Sequence, residues 1–154
     1  MESLIEQLKD PDPDVRGAAI ETAVGLGDES LIEQLETLVL NMDTTPDGRE
    51  SAVRVLARVK SPRGIRFLTD LFASEDATIR GLSALGMSQQ QTPQAVSFLI
   101  AALNDPVNTV RNIAERSLLS IIDCVRKFGI SELLSLLEHK EPLTRSPAAR
   151  VLGA

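Results

Sequence analysis

Leu103-Asn104-Asp105-Pro106-Val107-Asn108-Thr109-Val110-Arg111 repeats, nearly residue for residue, the earlier stretch Leu8-Lys9-Asp10-Pro11-Asp12-Pro13-Asp14-Val15-Arg16. Both read Leu-x-Asp-Pro-x-x-x-Val-Arg, and the same eight-residue step from an apolar residue to Arg recurs at Phe72–Arg80 and Leu137–Arg145. Working outward, five arginines, Arg16, Arg49, Arg80, Arg111 and Arg145, stand 33, 31, 31 and 34 residues apart. Three positions after each comes a small residue: Ala19, Ala52, Ser83, Ala114 and Ala148. Seven positions after comes an apolar one: Ala23, Leu56, Met87, Leu118 and Leu152. A period of this size means one supersecondary unit copied about five times, so the fold class is an all-α solenoid rather than a single closed core.

Each copy reads as a helical hairpin. Leu4, Ile5 and Leu8 share one face of a first helix, helix A. Asp10-Pro11-Asp12-Pro13 stops it, because proline lacks an N–H and restricts the residue before it. Pro13 or Asp14 opens helix B, which runs to about Leu26 and ends at Gly27. In the fourth copy, Phe98–Leu103 is helix A and Val110-Arg111 starts helix B. The second turn, Asn41–Gly48, is about one residue longer. Ser61-Pro62 and Thr92-Pro93 mark further helix starts, and Asp28 caps the second helix A. Gly86–Gln91 reads as a polar connector. Ile121–Gly129 reads as an extra turn of the fourth helix B, and Pro147 as first-turn proline of the fifth. The expectation is one domain over residues 1–154, ten helices, and units at approximately 2–27, 28–60, 61–87, 92–128 and 129–154.

Composition narrows the function classes. With 43% hydrophobic residues the chain has material for a core; with four Phe and no Trp or Tyr, that core is aliphatic and helical. A single cysteine, Cys124, excludes an internal disulfide and suits the cytoplasm. No apolar run approaches the roughly 18 residues of a membrane span, and Met1-Glu2-Ser3-Leu4 does not read as a signal peptide. The net charge of −6 argues against a general nucleic-acid partner, but it is unevenly spread. Residues 1–43 carry −9 and residues 44–66 carry +4.

The motif Leu-x-Asp-Pro-x-x-x-Val-Arg, followed by Ala-Ala, at about 31 residues resembles the HEAT-like repeat of the phycobilisome-lyase type, over residues 3–154. The period is shorter than the roughly 40–47 residues of longer HEAT units. The resemblance implies that the turn Asp and helix B Arg are structural and link neighbouring turns in a polar ladder: Asp10 or Asp12 with Arg16, Asp76 with Arg80, and Asp105 with Arg111, with Arg49 and Arg145 at the same rung. It also implies functions ranging from scaffold to bilin lyase subunit. Fold alone does not choose among them. A di-iron hydroxylase of similar fold needs several His-Glu pairs, whereas His139 is the only histidine here.

No catalytic constellation, metal set or cofactor motif is evident, so the leading expectation is a non-catalytic adaptor or scaffold that presents its B-helix face to another protein. The candidate contacts are Arg54, Arg58, Arg63 and Arg66, then Asn112, Glu115 and Arg150. Arg54 and Arg58 are four apart and share a helix face. The alternative is a lyase or phycobilisome-handling subunit that binds an open-chain tetrapyrrole or phycobiliprotein, with arginines on its propionates. Cys124 reads as a small hydrophobe and His139 as a cation near a helix C-terminus. Val151 and Leu152 are expected to leave apolar surface at the last unit, a place for self-association.

Overall fold

The computed structural model describes residues 3–154; Glu2, counted above with the first unit, lies outside them. Among the described residues there are eleven α-helices, one 3-10 turn and no strand. They are α1 (Leu4–Gln7), α2 (Pro13–Leu26), α3 (Ser30–Leu40), α4 (Pro46–Val59), α5 (Pro62–Asp70), α6 (Ala77–Met87), α7 (Pro93–Ala102), α8 (Asn108–Ser120), α9 (Ile122–Phe128), α10 (Ile130–Leu136) and α11 (Pro142–Leu152), with a 3-10 turn at Leu71–Ala73. Helices α2, α4, α6, α8 and α11 pack successively into one layer, the B layer. Helices α1, α3, α5, α7 and the α9–α10 pair lie against it as the A layer. The B helices contact one another more extensively than the A helices do, which places the B layer on the inner side of the stack.

Local chemistry sets the boundaries. Helices α2, α4, α5, α7 and α11 all start with proline at the first position, where no N–H is needed. Asp12, Thr45, Asp76 and Thr92 accept a backbone N–H from the first turn of α2, α4, α6 and α7. Gly27 ends α2 in the left-handed conformation at φ 58°. Lys60 ends α4 in the same conformation without being glycine. There, the Gln90 side-chain amide donates to the Ala57 carbonyl at 2.6 Å and satisfies a helix-end acceptor.

The core is continuous between the layers. Leu8, Ile32, Leu35, Leu56, Leu68, Leu99, Leu103, Leu118 and Leu133 are fully buried. The small residues three positions after each arginine, Ala19, Ala52, Ser83, Ala114 and Ala148, are buried too. Small side chains there let each B helix approach its A helix, and the Ser83 hydroxyl donates to the Leu68 carbonyl at 2.6 Å across that contact.

Five expectations need correcting. The fourth helix B does not run on: the backbone turns at Ile121 (φ −117°, ψ 33°), and α9 then packs on α7 in the A layer. Gly129 allows this, because a Cβ there would come within 2.7 Å of Val96 and 3.0 Å of Ile100. The helix count is therefore eleven rather than ten among the described residues. Pro147 is the sixth residue of α11, beyond its first turn. Gly86–Gln91 is not a solvated connector: Ser88 and Gln90 are buried. At the fifth unit Val151 is buried and Leu152 half-buried; the exposed apolar side chains are instead Ile130, Leu134, Leu137 and Leu143.

Candidate functional site: the inner groove and its arginine edge

The repeated arginines lie along one edge of the B layer, where the A–B turns sit. Each guanidinium reaches back onto the turn that follows its own A helix. Arg16 donates to the carbonyls of Asp10 and Pro11 (2.7 and 2.9 Å), Arg80 to Ser74 and Glu75 (2.9 Å each), Arg111 to Asp105 and Pro106 (2.7 and 2.9 Å), and Arg145 to His139 and Lys140 (2.8 and 2.7 Å). The guanidinium thus supplies donors to turn carbonyls that have no helical partner of their own. Arg49 crosses the longer second turn and donates to the Met42 carbonyl at 3.0 Å.

The carboxylate contacts run between units, not within them. Arg80 holds Asp105 of the following unit through Nε and Nη2 at 2.7 and 3.0 Å, and Arg16 reaches Asp47 at 3.1 Å. Asp10, Asp12 and Asp76 accept turn N–H groups instead, from Asp12, Asp14 and Thr78 respectively. Asp105 also accepts the Val107 N–H at 2.8 Å. Burial opposes its ionisation, but the Arg80 and Val107 hydrogen bonds and the Arg80 and Arg111 charges outweigh that, holding its carboxyl below the ordinary value.

The inner face carries a groove of about 760 Å³ across α4, α6 and α8. Its centre is uncharged: Ala77, Thr78, Gly81, Leu82 and Leu85 of α6, with Ile113 of α8. Gly81 keeps the groove low, since a Cβ there would lie 2.9 Å from Ile113. Arg49, Glu50 and Arg54 line one flank and Arg116 the other. The repeat explains this: the fifth residue after each arginine is Glu21, Arg54, Leu85, Arg116 and Arg150. An apolar residue thus sits between two arginines, each one unit away.

The candidate contact residues do not form one patch. Arg54, Arg58, Asn112, Glu115 and Arg150 lie on B helices; Arg63 and Arg66 lie on α5, in the A layer. Most are paired internally. Arg58 is bidentate on Glu21 (2.5 and 2.9 Å), Arg63 on Glu36 (3.0 and 2.7 Å) and Arg150 on Glu115 (2.6 Å twice); Arg54 pairs with Glu50 one turn earlier. Side-chain hydrogen bonding to Arg58 draws the Glu21 carboxyl below its ordinary value. Cys124 packs half-buried against the core, and the His139 Nδ1 accepts the Glu141 N–H at 3.2 Å beyond the end of α10. Among the described residues, no group of three or more His, Cys, Asp or Glu is placed to hold a metal ion, and no helix is long and apolar enough to cross a membrane. The α6 floor and Arg116 were missed from sequence; the signal was the break in charge at Leu85 along the repeat row.

A two-layered stack of helical hairpins with an open inner groove defines a solenoid of the repeat class. The chain belongs to the HEAT repeat family, whose model matches residues 1–81 and 37–119. A relative described as "Uncharacterized phycocyanin operon protein Z", from Pseudanabaena tenuis (strain PCC 7409), is 30% identical over 122 residues, or 74% of this chain. This chain spans 59% of that relative's length. The complex of CpcE and CpcF of phycocyanin lyase from Nostoc sp. PCC7120 contains a chain 18% identical at a TM-score of 0.49, covering 97% of this chain and 62% of that one. An engineered protein is 20% identical at a TM-score of 0.46, covering 97% and 76%.

Proposed function

We propose that this chain is a non-catalytic docking module, an adaptor or scaffold of the cytoplasm, that presents its inner B-helix face to a protein partner. The observation that carries this reading is the groove of about 760 Å³ with an uncharged floor and charged flanks. A rigid apolar floor supplies contact area, and flanking charges supply register and steering. Arg54, Arg58, Asn112, Glu115 and Arg150 are the contacts available on that face; Arg63 and Arg66 would serve only a partner that reaches the A layer. The test is chemical cross-linking in the native host with mass spectrometry. Cross-links should map to α4, α6 and α8, and Ile113→Arg should abolish them while leaving the helical circular dichroism unchanged. Cross-links confined to the A layer would refute the reading. Self-association through α10 and α11, with exposed Leu134, Leu137 and Leu143, belongs to the same reading. Sedimentation of wild type and Leu143→Asp at high concentration checks it: a monomer in both removes it.

A second reading, a subunit that handles an open-chain tetrapyrrole or a phycobiliprotein as lyase or detachment factor, draws support from the relative named for a phycocyanin operon. Arg54 and Arg116 flanking Leu85 would suit two propionates on an open-chain, largely apolar tetrapyrrole. Mixing the protein with phycocyanobilin should then shift the visible absorbance band. An unchanged spectrum would remove the bilin form of this reading.

A further inference from the structure

Arg49 is the odd member of the arginine row. It is 7% exposed, it lines the inner groove, and its Nε has no hydrogen-bond acceptor among the described residues. A buried guanidinium N–H without an acceptor is costly, and native structures seldom keep one without a reason.

The neighbouring units show what is missing. Arg80 uses Nε and Nη2 on the carboxylate of Asp105, 25 residues later in the chain. Twenty-five residues after Arg49 stands Ser74, whose hydroxyl is already engaged by the Asp76 N–H at 3.1 Å. Asp76, two residues on, turns its carboxylate to the Thr78 N–H. The second unit therefore has the arginine of the lock without its acid, and that arginine faces the groove.

The rest of the groove has matching chemistry. Its charged lining residues are Arg49, Arg54, Arg116 and a single acid, Glu50, which Arg54 already neutralises. The N-terminal ends of α4, α6 and α8 reach the same groove through Pro46, Ala77, Thr78 and Thr109, adding positive helix ends along the arginine edge. Between them lies the apolar strip of Leu82, Leu85 and Ile113.

We propose that the groove takes an acidic segment of a partner protein, one carboxylate completing Arg49, others meeting Arg116 and Arg54, and an apolar side chain between them seated on Leu82, Leu85 and Ile113. This rests on the docking reading above and names the chemistry of the partner.

The probe is a fluorescein-labelled synthetic peptide with glutamate and leucine at helical spacing, compared with the same peptide carrying glutamine for glutamate. Fluorescence anisotropy at low ionic strength should show saturable binding of the glutamate peptide alone, weakening as salt shortens the Debye length toward about 3 Å. Arg116→Glu should weaken binding by about tenfold or more, the worth of a charge-assisted hydrogen bond. Ser74→Asp is the sharper variant: it supplies the missing acid from within, so a more stable protein should bind the peptide more weakly. Three results would overturn the proposal: no binding of the glutamate peptide, equal binding of the glutamine peptide, or wild-type affinity in both variants. If any of these occurs while native cross-links still map to α4, α6 and α8, only the acidic chemistry falls. If the cross-links also lie elsewhere, the docking reading falls with it.

Discussion

Arg80 and Arg49 stand at the same place in neighbouring units, and both reach back to the turn that follows their own A helix. Of the two, Arg80 also closes on a carboxylate of the next unit, whereas Arg49 keeps an Nε without an acceptor among the described residues. One position locks the stack; the other spends stability and lines the groove. Two things differ: Asp105 stands where Ser74 stands one unit earlier, and Arg49 reaches seven residues back to the Met42 carbonyl where Arg80 reaches five and six.

The largest effect should come from breaking the closed rung. Asp105 has a side chain only 2% exposed and Arg80 one 11% exposed. Arg80→Met leaves a buried carboxylate without its cation, a loss of about 3–5 kcal/mol by analogy with other buried pairs. The thermal midpoint should fall correspondingly, by about 2–4 °C per kcal/mol for a chain of this size. A change of under a degree would mean that the rung does not hold the stack.

Acid should dissolve the same rung. The Asp105 carboxyl titrates below its ordinary value in the folded protein. Its contribution is therefore complete above the unfolded value of about 4 and is lost as pH falls through the lower folded value. The gap in thermal midpoint between wild type and Asp105→Asn should be constant at neutral pH and close in acid. A gap that persists unchanged in acid would assign the stabilisation to packing. Arg49→Met should do far less, about 1 kcal/mol, because it removes the bond to Met42 but also removes an unsatisfied N–H.

How much of this was legible in the sequence follows from what each feature depends on. Helix starts were legible where proline and capping residues act locally, as at Pro13 in the B layer and at Pro62 and Pro93 in the A layer. A polar ladder between neighbouring turns was legible, but its acids were matched to the arginines of their own turns. Asp105 lies six residues before Arg111, but its carboxylate goes to Arg80 because stacking brings successive turns together. The spacing of 25 residues was available as a signal, though only once the stack is assumed. The turn at Ile121 was hidden because Leu118–Val125 is apolar except for Ser120 and Asp123, and the cause is the close seat of Gly129 against α7. The groove escaped notice because it was sought among the charges of α4 and α5, while its floor is the uncharged face of α6.

The smallest expected effect is the most discriminating. In Ser74→Asp the new carboxylate can accept the Asp76 N–H, as Asp105 accepts that of Val107, so the turn keeps its hydrogen bond. It would also stand where Asp105 stands relative to Arg80, and Arg49 would gain an acceptor. The gain should be about 1 kcal/mol at neutral pH, because a charge-assisted bond is formed at the cost of burying a carboxylate. Since the new acid would be drawn below its ordinary value by the guanidinium, the gain should vanish as pH falls below about 4. A stabilised variant whose gain survives acid would point to turn propensity rather than a closed rung. A destabilised one would show that the second turn, longer by a residue than its neighbours, cannot bring Arg49 and position 74 together. In that case the orphan Nε would follow from loop length, and the difference between the two rungs would lie in their turns rather than in the residue that Arg80 has and Arg49 lacks.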